Sequence, residues 1–190
     1  MDATKHNSPL ARLVKTCALS GCLLCALFAL LYHFFPYAAF LSLAITAGTT
    51  GYHFVMRLAV GWVVPILTRG RLNPDSFWFR QRPFERKLHR FLRVRRWKGK
   101  MPTYNPEEFC FGKNTPEQII QNSCVAELVH EVIFIASFLP VFAIRFWGAP
   151  AVFLITSLLA AGVDCCFVLM QRYNRPRLQN YHRRMAKRIT

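Results

Sequence analysis

Long apolar runs separated by short polar breaks dominate the chain and predict helices that span a membrane. The predicted spans are residues 17–35, 38–56, 128–146 and 151–170. An α-helix rises about 1.5 Å per residue, so about 20 residues cross the hydrocarbon core of a bilayer. The pattern predicts an all-α integral membrane protein with about four transmembrane helices, forming a single membrane domain over residues 1–190.

Helix breakers divide the apolar runs. Pro36 breaks the chain after the first run, and Gly148 with Pro150 separates the last two runs as a tight helical hairpin. The second run continues past Arg57 and is longer than one span needs. We therefore expect a further helical piece at residues 59–67, lying near the interface.

Two of the spans admit a second interpretation. The first span follows basic residues, as the core of a signal peptide does, but it is longer than such a core and we expect it to remain uncleaved. The fourth span contains Asp164, and an ionisable group inside a membrane is costly. Asp164 is therefore either functional or a packing residue that is neutral or paired.

The polar segment 68–123 contains apolar residues at roughly helical spacing. These are Phe84, Leu88, Phe91, Leu92 and Trp97, with Arg86, Lys87, Arg90 and Arg93 between them. The alternation is typical of an amphipathic helix that lies in an anionic membrane interface on the cytoplasmic face. A basic linker without such a helix is the simpler alternative.

The charge balance excludes several classes of protein. The 190 residues include 25 Lys and Arg against nine Asp and Glu, with 53% apolar residues and a net charge of +16. A disordered chain has far fewer apolar residues. A nucleic-acid-binding domain would match the charge but not the apolar content, so we expect no nucleic-acid partner.

The distribution of positive charge predicts the orientation of the spans. Thirteen Lys and Arg lie in residues 68–123 and seven in residues 171–190, whereas the hairpin turn has Arg145 alone. Positively charged loops favour the cytoplasm. We therefore expect a multi-pass protein of the cell membrane with both termini, the basic segment and the tail 171–190 in the cytoplasm.

A glutamate and a histidine three residues apart are the first candidates for catalysis. Glu127 and His130 share a helix face where the basic segment meets the third span. A carboxylate beside an imidazole raises its basicity, as a general base requires, although a solvated helix start also collects these residue types. A zincin would need a second His in place of Phe134, and a di-iron bundle would repeat the motif. We therefore expect no metal site.

An arginine-rich block, residues 171–178, follows the fourth span. It contains Arg172, Tyr173, Asn174, Arg175 and Arg177. Arginines next to tyrosine and asparagine suit the binding of phosphate or carboxylate groups. The simpler interpretation is a membrane anchor of arginines whose charged ends reach water. We expect Pro176 to end the helix locally.

Four sequence blocks stand in the order found in a known family. The blocks are Phe84-Glu85, Arg96-Trp97-Lys98-x-Lys100-x-Pro102, Ala126-Glu127-Leu128-x-His130 and residues 171–178. In these blocks the chain resembles the glycosyl-4,4'-diaponeurosporenoate acyltransferases of bacterial carotenoid synthesis. The resemblance implies transfer of a fatty acyl group onto a sugar hydroxyl of a glycosylated carotenoid or related glycolipid.

From the reaction that the resemblance implies, we infer roles for these residues. His130 would assist attack of the hydroxyl on an acyl thioester, and Glu127 would orient its imidazole. The substrate-binding residues would be Arg172, Tyr173, Asn174, Arg175, Arg177, Trp97 and Lys98. The thioester is the donor substrate and no cofactor is expected. The implied partners are membrane lipid, a lipid-embedded glycosylated acceptor and the thioester.

Three positions near the Glu-His motif differ from the family pattern. The family usually has Glu, Arg and Trp where this chain has Asn122, Val125 and Glu131. These differences bear on the acceptor more than on the reaction class. The alternative function is a non-catalytic membrane module that binds anionic lipid or a partner protein through its arginine-rich face.

Overall fold

The computed structural model describes residues 8–189. In chain order the helices are α1 (Pro9–Phe34), α2 (Ala38–Leu67), α3 (Pro83–Phe91), α4 (Val94–Trp97), α5 (Pro116–Ala136), α6 (Ile144–Trp147) and α7 (Pro150–Ile189). Helices hold 80% of the residues, and no strand occurs in the described part, which confirms the all-α class. Lys5 and Thr190 lie outside the described residues.

Four helical segments are long and apolar enough to cross a membrane. They are Pro9–Phe34, Ala38–Leu67, Pro116–Trp147 and Pro150–Met185. Their length and composition confirm the prediction of a membrane protein with about four spans. Three of the predicted spans fall within one of these segments, and the first, 17–35, extends one residue beyond Phe34.

Two of the expected helix ends are wrong. Helix α2 runs through Arg57 to Leu67 without a break, so residues 59–67 are not a separate piece. The predicted third span, residues 128–146, is not one α-helix, because α5 ends at Ala136 and a 3₁₀ helix, Leu139–Ala143, precedes α6. Pro140 lies at the start of that 3₁₀ helix and has no backbone N–H to continue the α-helical pattern.

The described chain forms two compact units. One, the apolar unit, consists of residues 9–62 and 132–164. The other, the basic unit, consists of residue 8 with residues 63–131 and 165–189. The sequence led us to expect a single membrane domain. Every sequence block of the resemblance lies in the basic unit.

Small residues let α1 and α2 approach closely in the apolar unit. A Cβ atom added at Gly21 would lie 2.6 Å from the Cα of Gly51, and one at Gly48 would lie 2.9 Å from the Sγ of Cys25. Such backbone contact is how small residues associate helices in a membrane. Gly61 has nothing within 4 Å of an added Cβ and has no such role.

The ionisable residue of the fourth span is paired. The Asp164 carboxylate accepts a hydrogen bond from the Arg57 guanidinium, which also donates to the backbone oxygens of His53 and Ala160 at 2.9 and 3.1 Å. Asp164 is almost completely buried. Of the two interpretations that the sequence left open, the structure gives the paired one, because the opposite charge compensates burial of the carboxylate.

Helix α7 continues past the proline at which we expected it to end. It runs to Ile189 with Pro176 inside it, so the expected local end of the helix at Pro176 is wrong. An interior proline costs a helix about 3 kcal/mol. The helix beyond the proline makes tertiary contacts: Gln179 donates to the Pro74 carbonyl at 3.5 Å, and His182 lies 3.0 Å from Glu117.

The amphipathic helix of the basic segment forms, but its buried side is polar. Helix α3 buries Glu85 and His89, whereas Phe84 and Phe91 are exposed, Phe91 to 82%. Arg93, in a left-handed conformation with φ of 50°, separates α3 from α4. The charged side faces the interior of the unit because its partners lie there.

Candidate active site

A buried network of carboxylates and guanidinium groups joins α5 to α7. Arg175 of α7 donates to Glu127 of α5 through Nη1 and to the backbone oxygen of Phe79 through Nη2, at 2.6 Å for the latter. Arg175 is 1% exposed and Glu127 is 0% exposed. Because both groups are buried, loss of either one would leave the charge of the other without its partner.

Arg172 extends the network to α3. Its Nη1 lies 2.5 Å from Oε1 of Glu85, its Nε lies 3.0 Å from Oε1 of Glu127, and its Nη2 lies 3.8 Å from Oε1 of Glu131. Nη2 also donates to the backbone oxygen of Trp78 at 2.8 Å. Three carboxylates therefore surround one guanidinium, which fixes α3, α5 and α7 to one another.

A second cluster surrounds the ring of Tyr173. The guanidinium of Arg177 lies 3.5 Å from the ring centroid, the amine of Lys98 lies 5.0 Å from it, and the ring of His89 meets it edge-on at 5.5 Å. Lys98 also donates to Oδ1 of Asn174 at 2.6 Å. The aromatic face thus holds two cations together.

The cation cluster lacks a balancing carboxylate. Within the described residues, no Asp or Glu forms an ion pair with Lys98 or Arg177. Burial lowers the pKa of Lys98, and the neighbouring Arg177 and Arg95 lower it further. An anionic ligand would relieve this repulsion.

A cleft with a volume of about 390 Å³ lies beside the network. Both apolar and charged side chains line it; the lining residues are Phe77, Trp78, Arg82, Phe84, Glu85, Leu88, His89, Glu131, Leu169 and Arg172. Two buried atoms of these residues, Oε2 of Glu85 and Nε2 of His89, have no hydrogen-bond partner among the described residues. A volume of this size is typical of small-ligand sites.

The imidazole that lines the cleft is His89. Burial lowers the pKa of His89 below its ordinary value of 6.5, and the Glu85 carboxylate opposes that shift. The positive charges of Arg177 and Arg172 lower the pKa further. The neutral form of His89 is therefore favoured near neutral pH.

The sequence-predicted site residues are divided among these features. His130 stacks on Phe167 of α7, with centroids 4.4 Å apart and rings 6° from parallel, and it does not line the cleft. Glu127 is bound to two arginines. Trp97 donates its indole N–H to the backbone oxygen of Leu92 at 2.9 Å, at the end of α3.

Sequence reasoning did not select several residues of the cleft. Glu85 and His89 lie four residues apart and so share a face of α3. Glu85 is also the one acidic residue in residues 76–105, which otherwise carry many positive charges. This isolated acidic residue in a basic segment was the sequence feature that could have identified Glu85 as a site residue. No sequence feature identified Trp78 as a site residue, because its position depends on contacts with Glu131 and Arg172, which lie far away along the chain.

These features define an integral membrane protein with a cleft lined by aromatic and charged residues beside a buried charged network. The family model for glycosyl-4,4'-diaponeurosporenoate acyltransferase matches residues 75–184, more than half of the chain. The chain belongs to that family and is an acyltransferase of carotenoid biosynthesis. No curated protein and no solved structure matches it.

The match covers the elements that build the site. All residues of the network, the cation cluster and the cleft lie within residues 75–184. Family membership favours the enzymatic interpretation over the non-catalytic lipid-binding module. Among residues 8–189, no group of three or more His, Cys, Asp or Glu is arranged to hold a metal ion.

Proposed function

We propose that this protein transfers a fatty acyl group from a thioester to a sugar hydroxyl of a glycosylated carotenoid or related glycolipid. The observation that carries the proposal is the cleft, where aromatic rings and ionisable groups meet within the segment matched by the acyltransferase family. An acceptor with an apolar chain and a polar end requires both kinds of lining.

The cation cluster is the proposed site for the donor. A fatty acyl thioester that is soluble in the cytosol travels on a phosphate-bearing carrier. Lys98 and Arg177 are held together without a carboxylate, so phosphate is a suitable ligand for them. Arg172 and Arg175, which the sequence assigned to this task, are already bound to carboxylates. Asn174 and Tyr173 position the two cations.

The reaction needs a base close to the acceptor hydroxyl. The hydroxyl oxygen attacks the thioester carbonyl, a C–O bond forms and the C–S bond breaks. The base takes the hydroxyl proton and returns it to the departing sulfur as a thiol. We propose His89 for this role because it lines the cleft and favours the neutral form. The role of His130 with Glu127 stays a prediction from the sequence.

We also propose that the protein lies in the cell membrane with both termini in the cytoplasm, as the positive-inside rule favours. A reporter fused after Thr190 or inserted near Asn114 should then read cytoplasmic, and one at Gly148 should read outside. The cysteine-labelling pattern of the same positions provides a second measurement. An Asn114 reporter outside the cell would contradict this orientation and the proposed access of a cytosolic donor.

The proposed function predicts acyl transfer by the purified full chain. The chain in lipid nanodiscs should move a labelled acyl group from its thioester to a glycosylated carotenoid, and chromatography with mass spectrometry should detect the ester. Lys98→Ala combined with Arg177→Ala should raise the KM for the thioester, because the carrier loses two cations. Arg183→Ala, an exposed arginine on the same helix, is the matched control. Absence of any ester product would contradict the proposal.

A further inference from the structure

We propose that Trp78 and Glu131 form a binding site for the sugar ring of the acceptor, with Trp78 as its stacking surface. This inference rests on the proposed function, because it places the headgroup of the same acceptor. It names a recognition site in a part of the cleft to which no role was assigned above.

The indole of Trp78 is exposed and fixed in orientation. Trp78 is 57% exposed. Its Nε1 donates to Oε2 of Glu131 at 2.7 Å, and its backbone oxygen accepts from Arg172 at 2.8 Å. Both ends of the residue are therefore held by the charged network, and the ring is kept at the cleft. The C–H face of a sugar ring packs on such a surface.

Carboxylate oxygens lie beside this ring and are suited to accept hydrogen bonds from hydroxyls. Oε1 of Glu131 is 3.8 Å from the nearest guanidinium nitrogen of Arg172, beyond hydrogen-bond distance. Oε2 of Glu85, in the same lining, has no hydrogen-bond partner among the described residues. Hydrogen bonds from neutral donors to a charged acceptor are stronger than those between neutral groups.

The charge of the cleft favours a neutral, hydroxyl-rich ligand over an ion. Its lining carries two carboxylates, Glu85 and Glu131, and two guanidinium groups, Arg82 and Arg172. Arg172 is already paired, and Arg82 lies over the ring of Phe77 at 3.7 Å. An anion would meet the two carboxylates, and a cation would meet the two arginines. A sugar is neutral, so neither the carboxylates nor the guanidinium groups would repel it.

The test uses binding without the acyl donor, so it is independent of catalysis. The full chain is placed in phosphatidylglycerol nanodiscs that contain monoglucosyl diacylglycerol, and tryptophan emission is compared with that in nanodiscs containing diacylglycerol. The sugar should change the emission. The change should be absent in Trp78→Phe and retained in Trp147→Phe, a tryptophan of similar exposure, 59%, in the apolar unit.

A kinetic measurement separates recognition from a general loss of structure. Glu131→Gln should raise the KM for the glycosylated acceptor roughly 10- to 100-fold while leaving the KM for the thioester unchanged. Glu107→Gln, an exposed glutamate away from the cleft, should change neither.

Two results would overturn the sugar site. One is an emission change that persists in Trp78→Phe, and the other is an equal change on adding phosphatidylcholine, which would indicate a cationic headgroup. If acyl transfer itself is absent but the sugar-dependent change depends on Trp78, the proposed function fails and the sugar site stands. If transfer occurs with the same KM in Glu131→Gln, the site fails and the function stands.

Discussion

Replacing His89 with glutamine should lower the rate of acyl transfer by roughly 10²- to 10⁴-fold, the range for loss of a general base. Glutamine retains hydrogen-bonding groups and similar bulk but cannot accept the proton. Burial and the arginines lower the pKa of His89, so the parent enzyme should gain activity as pH rises, with the midpoint of the rise below 6.5, the ordinary value of an imidazole. The measurement is the pH–rate profile for transfer in nanodiscs.

His130→Gln is the matched control for this prediction. Its ring stacks on Phe167 and does not line the cleft, so we expect activity within a few-fold of the parent and an unchanged acidic limb of the profile. This outcome is opposite to the role that the sequence predicts for His130. Loss of activity in His130→Gln with retention in His89→Gln would return the catalytic role to His130.

Replacing Arg175 with methionine should destabilise the fold by about 3–5 kcal/mol, because Glu127 then keeps a buried charge without its nearest partner. Thermal unfolding in detergent measures this, and membrane expression should fall with it. The double variant Glu127→Leu with Arg175→Met should recover much of the stability, because it removes both charges of the buried pair.

Lysine at the same position gives a finer test. Arg175 uses two separate nitrogens to reach Glu127 and the Phe79 carbonyl, and a single ammonium cannot occupy both positions. Arg175→Lys should therefore lose stability and activity together, whereas Arg184→Lys, on the exposed side of α7, should leave both unchanged. Full stability with complete loss of activity in Arg175→Lys would instead indicate that Arg175 contacts a substrate.

The arginine-rich block, residues 171–178, was predicted from the sequence as part of the site, but the partners of its arginines were not. Its residue types predicted strong hydrogen bonding, and the structure places all five of its named residues within the network or the cation cluster. The sequence assigned Arg172 and Arg175 to substrate because their carboxylate partners, Glu85 and Glu127, lie far away along the chain. The Pro176 prediction was wrong for a related reason: it used local chemistry alone, whereas the turns after Pro176 contact residues far away along the chain, Pro74 and Glu117.

The sequence by itself determined the properties that depend on local composition. Uncharged runs of sufficient length fixed the all-α membrane class, because a bilayer requires every backbone group to be paired within its own helix. The spacing of Phe84, Leu88 and Phe91 likewise fixed the existence of α3. Motif order alone indicated the acyltransferase family.

Only the tertiary structure decided which charged groups face one another. The choice between His89 and His130, the burial of Glu85 on the inner side of α3, and the contact of Trp78 with Glu131 all depend on how α3, α5 and α7 pack. The periodicity of α3 predicts one apolar and one charged face. It does not predict that the charged face is the buried one, because that depends on Arg172 of α7. The free energy of a buried charge depends on its neighbours in space, and these are set by the fold.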